Sequence, residues 1–256
     1  MPATMIAFGG KGGSGKTTLA ALVIRELIHT GNRPVLAVDA DPNSTLGMAL
    51  GVECTGTISD LRNKMGQAAQ EPTEIPKQRL MDQWLAELLC EQTGFDLLTM
   101  GHPEGPKCYC YVNSLLRRYL SLLRSNYPVV IVDCEAGMEY LSRLTVDDVD
   151  TLVLVAEASA IGVTTAERIA ELSLSLPIKV GRRAMVINKI DLDGRTPPLP
   201  KTPHIDTVLH VPWDRRAADC WTRGEAVEAR SAQTTKAIEE LASFCLGPAP
   251  ADGARE

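Results

Sequence analysis

Gly10-Lys11-Gly12-Gly13-Ser14-Gly15-Lys16-Thr17 satisfies G-x-x-x-x-G-K-[ST] directly behind the apolar run Met5-Ile6-Ala7-Phe8 and directly ahead of a helical pattern. Only a strand, a tight turn and a helix present such a loop, so the chain must open as β-loop-α. In the helix, Leu19, Val23 and Leu27 share one stripe and Ala20, Ile24 and Ile28 the adjoining one. The apolar run Pro34 to Asp39 follows, which completes a β-α-β unit. Glycines let the loop turn its backbone N–H groups toward phosphate oxygens, and the helix start adds a favourable dipole. A plain glycine turn gives no reason for the Lys-Thr pair. Lys16 is expected to reach the β- and γ-phosphates and Thr17 to ligate magnesium, with Gly10, Lys11, Gly12, Gly13, Ser14, Gly15 and Thr18 completing the cradle.

Further short apolar runs lie at Phe95 to Met100, Val129 to Asp133, Thr151 to Val155, Ala184 to Asn188 and Thr207 to Val211, with helical stretches between them. Several are too apolar for a half-exposed strand, which suits a parallel sheet covered on both faces. The expected fold is α/β: a doubly wound, mainly parallel sheet with its functional loops at the carboxyl ends of the strands. With 256 residues one domain over 1–246 suffices, and 247–256, rich in Pro, Gly and Ala, is expected to be a disordered tail. Lys64 to Gln78 is polar and turn-rich and reads as an excursion within that domain.

The 26 basic and 32 acidic side chains leave a net charge of −6, which opposes unspecific attraction to nucleic acid or anionic lipid. The last helical stretch, Ala232 to Phe244, carries Glu239 and Glu240 against the single Lys236, so no nucleic-acid or membrane partner is expected. No apolar run reaches membrane-spanning length and the N-terminus lacks a signal-peptide pattern, so the expected location is cytoplasmic. Seven cysteines, odd in number and mostly isolated, do not read as a disulfide framework.

Two strand ends supply the acids that phosphoryl transfer needs. Asp133 closes an apolar strand and is expected to hold magnesium through water, while Asp39-Ala40-Asp41-Pro42-Asn43 closes another. Asn188-Lys189-Ile190-Asp191 follows a further strand and would read a base edge. That N-K-x-D pattern also serves guanine recognition, so the base stays open at this point. Trp213, in Val211-Pro212-Trp213-Asp214, is equally consistent with base contact and with packing. Cys108-Tyr109-Cys110 offers two thiolates, which cannot complete a metal's coordination sphere, but a twofold dimer would present four.

Lys11 in the loop makes it resemble the deviant phosphate loop of the MinD, ParA and nitrogenase iron protein group. That resemblance implies nucleotide-dependent dimerisation with Lys11 crossing to the partner's phosphates, ATP as the nucleotide, and Asp41 orienting or deprotonating the attacking water with Asp39 supporting the metal sphere. Pro212 and Trp213 then resemble the group's second base-contacting loop. Lys11, Gly101 to Asn113 and Asp133 to Arg143 together are similar to the CooC family of accessory ATPases, which help to insert nickel into carbon monoxide dehydrogenase. The similarity runs from about Met5 to Ala226, with Cys134 where Asn is common and His102 where Arg is common. It implies a homodimer, dependent on nucleotide and metal, that hydrolyses ATP with Mg2+, holds Ni2+ or Zn2+ between Cys108 and Cys110 of two subunits, and serves apo carbon monoxide dehydrogenase or a related nickel enzyme. Two alternatives are an iron-sulfur reductase component like the nitrogenase iron protein and a MinD/ParA-type positioning ATPase. The single residue between Cys108 and Cys110 departs from the first, and the acidic last helix from the second.

Overall fold

The structure, a computed structural model, describes residues 3–61, 64, 77–102, 108–137, 148–191, 199–229 and 231–247, with backbone alone for 77, 78, 81, 82 and 108–111. Eight strands form one sheet: β1 (Thr4–Gly10), β2 (Val35–Ala40), β3 (Cys90–Gln92), β4 (Phe95–Thr99), β5 (Val129–Cys134), β6 (Asp148–Glu157), β7 (Lys179–Ile190) and β8 (Thr207–Pro212). Their spatial order is β3-β4-β2-β5-β1-β6-β7-β8, and every pairing except β3 with β4 is parallel. Among the described residues the α-helices are α1 (Lys16–His29), α2 (Leu46–Leu50), α3 (Lys77–Leu88), α4 (Cys108–Leu123), α5 (Ala160–Ser175), α6 (Arg215–Arg223) and α7 (Ala232–Leu246).

Strand alternation divides the core between the two faces of this sheet. Met5, Ala7, Leu36, Val38, Val130 and Val132 point to one face, where Leu85, Leu116, Tyr119 and Ile169 of α3, α4 and α5 cover them. Ile6, Phe8, Val35, Ala37, Ile131 and Val153 point to the other, under Leu19, Val23, Leu27 and Leu241 of α1 and α7. Both α1 stripes read from the sequence are used, since Leu19, Ala20, Val23, Ile24 and Leu27 are all buried. Each buried Val, Leu, Ile, Phe or Met side chain among them contributes about 1.5–3 kcal/mol, which favours helices on both faces of the sheet.

The connections leave β1 toward β2 on one side, and the later strands β6, β7 and β8 build outward on the other. The strand order therefore reverses beside β1, and a crevice opens there at the carboxyl ends. β1 runs directly into Gly10 and the glycine loop, so the topology places that loop in the crevice. The edge strand β3 is not foreseen from sequence: Cys-Glu-Gln carries no alternation and is held antiparallel on β4 by tertiary pairing. Among the described residues no helix is long and apolar enough to cross a membrane. The expectations for 65–76 and for the tail beyond Gly247 lie outside the described residues.

Candidate nucleotide site

The loop between β1 and α1 adopts left-handed backbone at Gly13 (φ +79°) and Gly15 (φ +99°), conformations that only glycine takes without strain. Gly15 caps α1 with no side-chain acceptor, so the first-turn N–H groups, including those of Lys16 and Thr17, have no partner within the helix. They face the loop as a ready anion cradle. A Cβ on Gly10 would run into the carbonyl of Val155, and one on Gly15 into the amide nitrogen of Asn188. These close approaches explain the glycines beyond their turn geometry. Lys16 is buried in the loop, whereas Lys11, Gly12 and Gly13 are exposed at its rim.

Strand register brings the acids together. Asp39 and Asp133 are Cα partners on adjacent β2 and β5, both fully buried. The Thr17 hydroxyl donates to Asp133 Oδ2 at 2.6 Å, which joins the loop to the end of β5. Asp133 Oδ1 is buried with no hydrogen-bond partner. A buried, unpartnered carboxylate oxygen beside a threonine hydroxyl fits Mg2+, a hard cation that takes oxygen ligands and keeps several waters. Thr17 and Asp133 would hold it, directly or through water, and the ion would neutralise phosphate charge when bound.

Asp39 is committed differently: its Oδ1 accepts the Asp41 N–H at 3.2 Å and its Oδ2 the Leu46 N–H at 2.8 Å. It thereby fixes the loop that carries Asp41, whose own Oδ1 accepts from the backbone and side chain of Asn43 at 2.9 and 2.8 Å. Burial, reinforced by the Asp133 charge, pushes Asp39 up to about 8. Burial also raises Asp133 to about 7, against the opposing pull of the Thr17 hydrogen bond and the Lys16 charge. Two neighbouring carboxyls that resist ionising together in the absence of a cation form a site that a cation completes.

At the far end of the loop, Asn188 Nδ2 donates to the Ser14 carbonyl at 2.8 Å and Lys189 Nζ to the Gly13 carbonyl at 2.6 Å. The N-K-x-D segment is thus braced on the phosphate loop. Lys189 adopts left-handed backbone (φ +59°) and also lies 3.5 Å from Glu157 Oε1. A cavity of about 460 Å³ runs from Gly12, Lys16 and Asp41 past Asn188 to Pro212 and Trp213. Its size suits a nucleotide-scale ligand. Trp213 is 51% exposed at its mouth and belongs to neither core cluster. Asp214 caps α6 by accepting from Arg216 and Ala217 N–H at 3.0 and 3.2 Å, which holds that loop.

Sequence reading missed Trp221, which lines the same cavity and donates from Nε1 to the Thr18 hydroxyl at 2.9 Å. No local signal marks it, because only the packing of α6 beside α1 brings the two together. Cys134 is fully buried, and burial raises its thiol, as a small core residue requires. His102 is exposed. The backbone of Cys108 and Cys110 forms the first turn of α4, and their thiols lie outside the described atoms, as does 138–143. Among the described residues no three His, Cys, Asp or Glu side chains gather as a metal site.

A glycine cradle on a helix start, a Lys-Thr pair with its lysine buried and an acid at the adjacent strand end define a P-loop nucleotide-binding protein. Residues 3–174 match the family described as an AAA domain (AAA_31), and the chain belongs to that family of ATP-binding P-loop ATPases. An uncharacterised ATP-binding protein of Methanocaldococcus jannaschii is 40% identical over 189 residues, spanning 73% of this chain and 74% of that protein. The carbon monoxide dehydrogenase accessory protein CooC of Rhodospirillum rubrum is 33% identical over 186 residues, 68% of this chain and 70% of its own. The septum site-determining protein MinD of Pyrococcus horikoshii, solved with Mg-ADP, superposes with a TM-score of 0.67 at 19% identity, covering 94% of this chain and 95% of that one. The fold is therefore that of the MinD and ParA ATPases.

Proposed function

We propose that the protein is a dimeric, ATP-hydrolysing maturation factor that binds nickel between the Cys108/Cys110 pairs of two subunits and assists its insertion into carbon monoxide dehydrogenase or a related nickel enzyme. The hydrolytic part is carried by the Thr17–Asp133 contact with its unpartnered inward oxygen. In this reading Lys16 neutralises the phosphates, Thr17 and Asp133 hold Mg2+ with Asp39 beside them, and Asp41 orients the attacking water. Lys11, exposed at the rim, reaches the partner's nucleotide. Asn188, Pro212 and Trp213 receive the base.

The cargo is supported by the similarity to CooC and by the place of the Cys-x-Cys pair in the fold. Cys108 and Cys110 open α4 on the chain that leaves the carboxyl end of β4, the sheet edge that also carries the nucleotide loop. Two thiolates per subunit supply four across a twofold axis, enough for a soft or borderline cation. Anaerobic Ni2+ titration, read by thiolate charge-transfer bands and by mass, tests this. Binding is expected to saturate at about one metal per dimer and to drive association without nucleotide. Saturation at one metal per monomer, or tight binding that survives replacement of both Cys108 and Cys110 by Ser, would refute the shared site.

A positioning ATPase is the second reading, favoured by the likeness to MinD. On α7 the charge balance is acidic and Lys236 lies 3.9 Å from Glu240, so that helix offers no free basic face to lipid. ATP-dependent sedimentation with anionic liposomes would establish this second reading in place of the first.

A further inference from the structure

The cysteines outside the nucleotide site do not all serve as filler. Cys134, Cys220 and Cys245 are buried, but Cys54 and Cys90 are half-buried and meet at the sheet edge. The Cys90 thiol donates at 3.9 Å to the carbonyl of Glu53, the residue before Cys54, which brings the two cysteines to neighbouring positions across the edge. Two residues further on, Gly56 packs so closely on Leu88 that a Cβ there would lie 2.7 Å from Leu88 Cδ2. Segments 53–56 and 88–90 are therefore pinned side by side on either flank of Cys54. Gln92 Nε2 donates to Cys90 Sγ at 3.7 Å, placing a donor on that sulfur.

We propose that Cys54 and Cys90 are a dithiol that oxidises reversibly to a disulfide, stapling the segment that leaves α2 to the edge strand β3 and slowing nucleotide hydrolysis. The second clause rests on the ATPase reading. Its physical route is short: α2 begins at Leu46, whose N–H is held by Asp39, and ends four residues before Cys54. The staple fixes the far end of the run that carries Asp41. A low-molecular-weight disulfide such as glutathione disulfide supplies the oxidant. The Cys90 sulfur, as thiolate, attacks one of its sulfurs and releases one glutathione thiolate. The Cys54 sulfur then attacks Cys90 in the mixed disulfide, releasing the second thiolate, and the two thiol protons end on the two glutathione molecules. Burial and the neighbouring thiol push Cys54 up to about 12, which slows the second step, so that step depends on the proximity of Cys54 to the mixed disulfide.

The test uses the full chain equilibrated in glutathione buffers from about a hundredfold excess of thiol to about a hundredfold excess of disulfide, then alkylated and mapped by mass spectrometry. A Cys54–Cys90 cross-linked peptide, lighter by about 2 Da than the sum of its reduced halves, is expected. Hydrolysis should fall about fivefold with it, recover in dithiothreitol, and stay insensitive in Cys54→Ser and Cys90→Ser. Both thiols remaining open to alkylation throughout the series, or Cys54 or Cys90 pairing elsewhere, would overturn the dithiol. A cross-link that leaves the rate unchanged would overturn the coupling while the ATPase reading stood. Absent hydrolysis even when reduced would instead overturn the ATPase reading and leave the cross-link to be judged by mass alone.

Discussion

Asp39 and Asp133 illustrate how two carboxyls of one kind acquire separate tasks through their surroundings. Asp39 holds backbone and Asp133 faces the loop threonine, yet burial raises both. A carboxyl raised above its unfolded value of 3.8 favours the folded state most below that value, and the stability is lost as pH rises through about 7 to 8. The nucleotide-free protein should therefore melt at progressively lower temperature from about pH 5 to pH 8, by about 2–4 °C for each kcal/mol lost. Asp133→Asn should flatten that slope, and Mg-ATP should restore stability at pH 8; a flat wild-type profile by differential scanning calorimetry would refute the raised values. Asp41→Ala should cut hydrolysis by at least about 100-fold while nucleotide binding persists, because water activation alone is lost. Lys16→Ala should weaken nucleotide affinity as well, since it removes a charge from the phosphates. Phosphate release and nucleotide titration separate the two, and wild-type turnover in the Asp41 variant would sink its assignment. Asp133 was legible because an acid closing an apolar strand has no reason to be there but chemistry; Asp39's hold on Leu46 was not, because it depends on how the next loop folds back.

At the scale of elements, the β1-loop-α1 unit joins local chemistry to tertiary bracing. Gly15 needs left-handed backbone, and Asn188 occupies the space where a side chain would begin. Gly15→Ala should cost about 1–2 kcal/mol in backbone strain and also displace Asn188 from the Ser14 carbonyl. Nucleotide affinity should fall at least about tenfold, measured by calorimetric titration. Asn188→Ala added to it should not restore binding, because the backbone cost remains. Long, strongly patterned elements such as α1 and β5 were readable from their periodicity. The short ones were not: α2 has five residues and β3 three, too few to express a period, and packing on α1 with the Asp39 hold on Leu46 decides the first, pairing with β4 the second.

For the molecule as a whole, the exposed position of Lys11 at the rim makes the dimer the natural unit of hydrolysis in the proposed reading. Lys11→Gln should abolish ATP-dependent dimerisation and leave ATP binding to the monomer within a few-fold, as size-exclusion with light scattering and nucleotide titration would show. Dimers forming as readily without that lysine would refute its cross-subunit role. By itself the sequence determined the doubly wound sheet, the phosphate loop and the acids at the strand ends, because each is written in residues close along the chain: an apolar run, a glycine spacing, a helix stripe. Only the tertiary structure decided that Asn188 and Lys189 brace the loop's carbonyls, that Trp221 reaches Thr18, and that Cys90 lies against the residue before Cys54. Those contacts join residues between 37 and 203 positions apart, and no local pattern encodes a distance that the packing of strands and helices must first create.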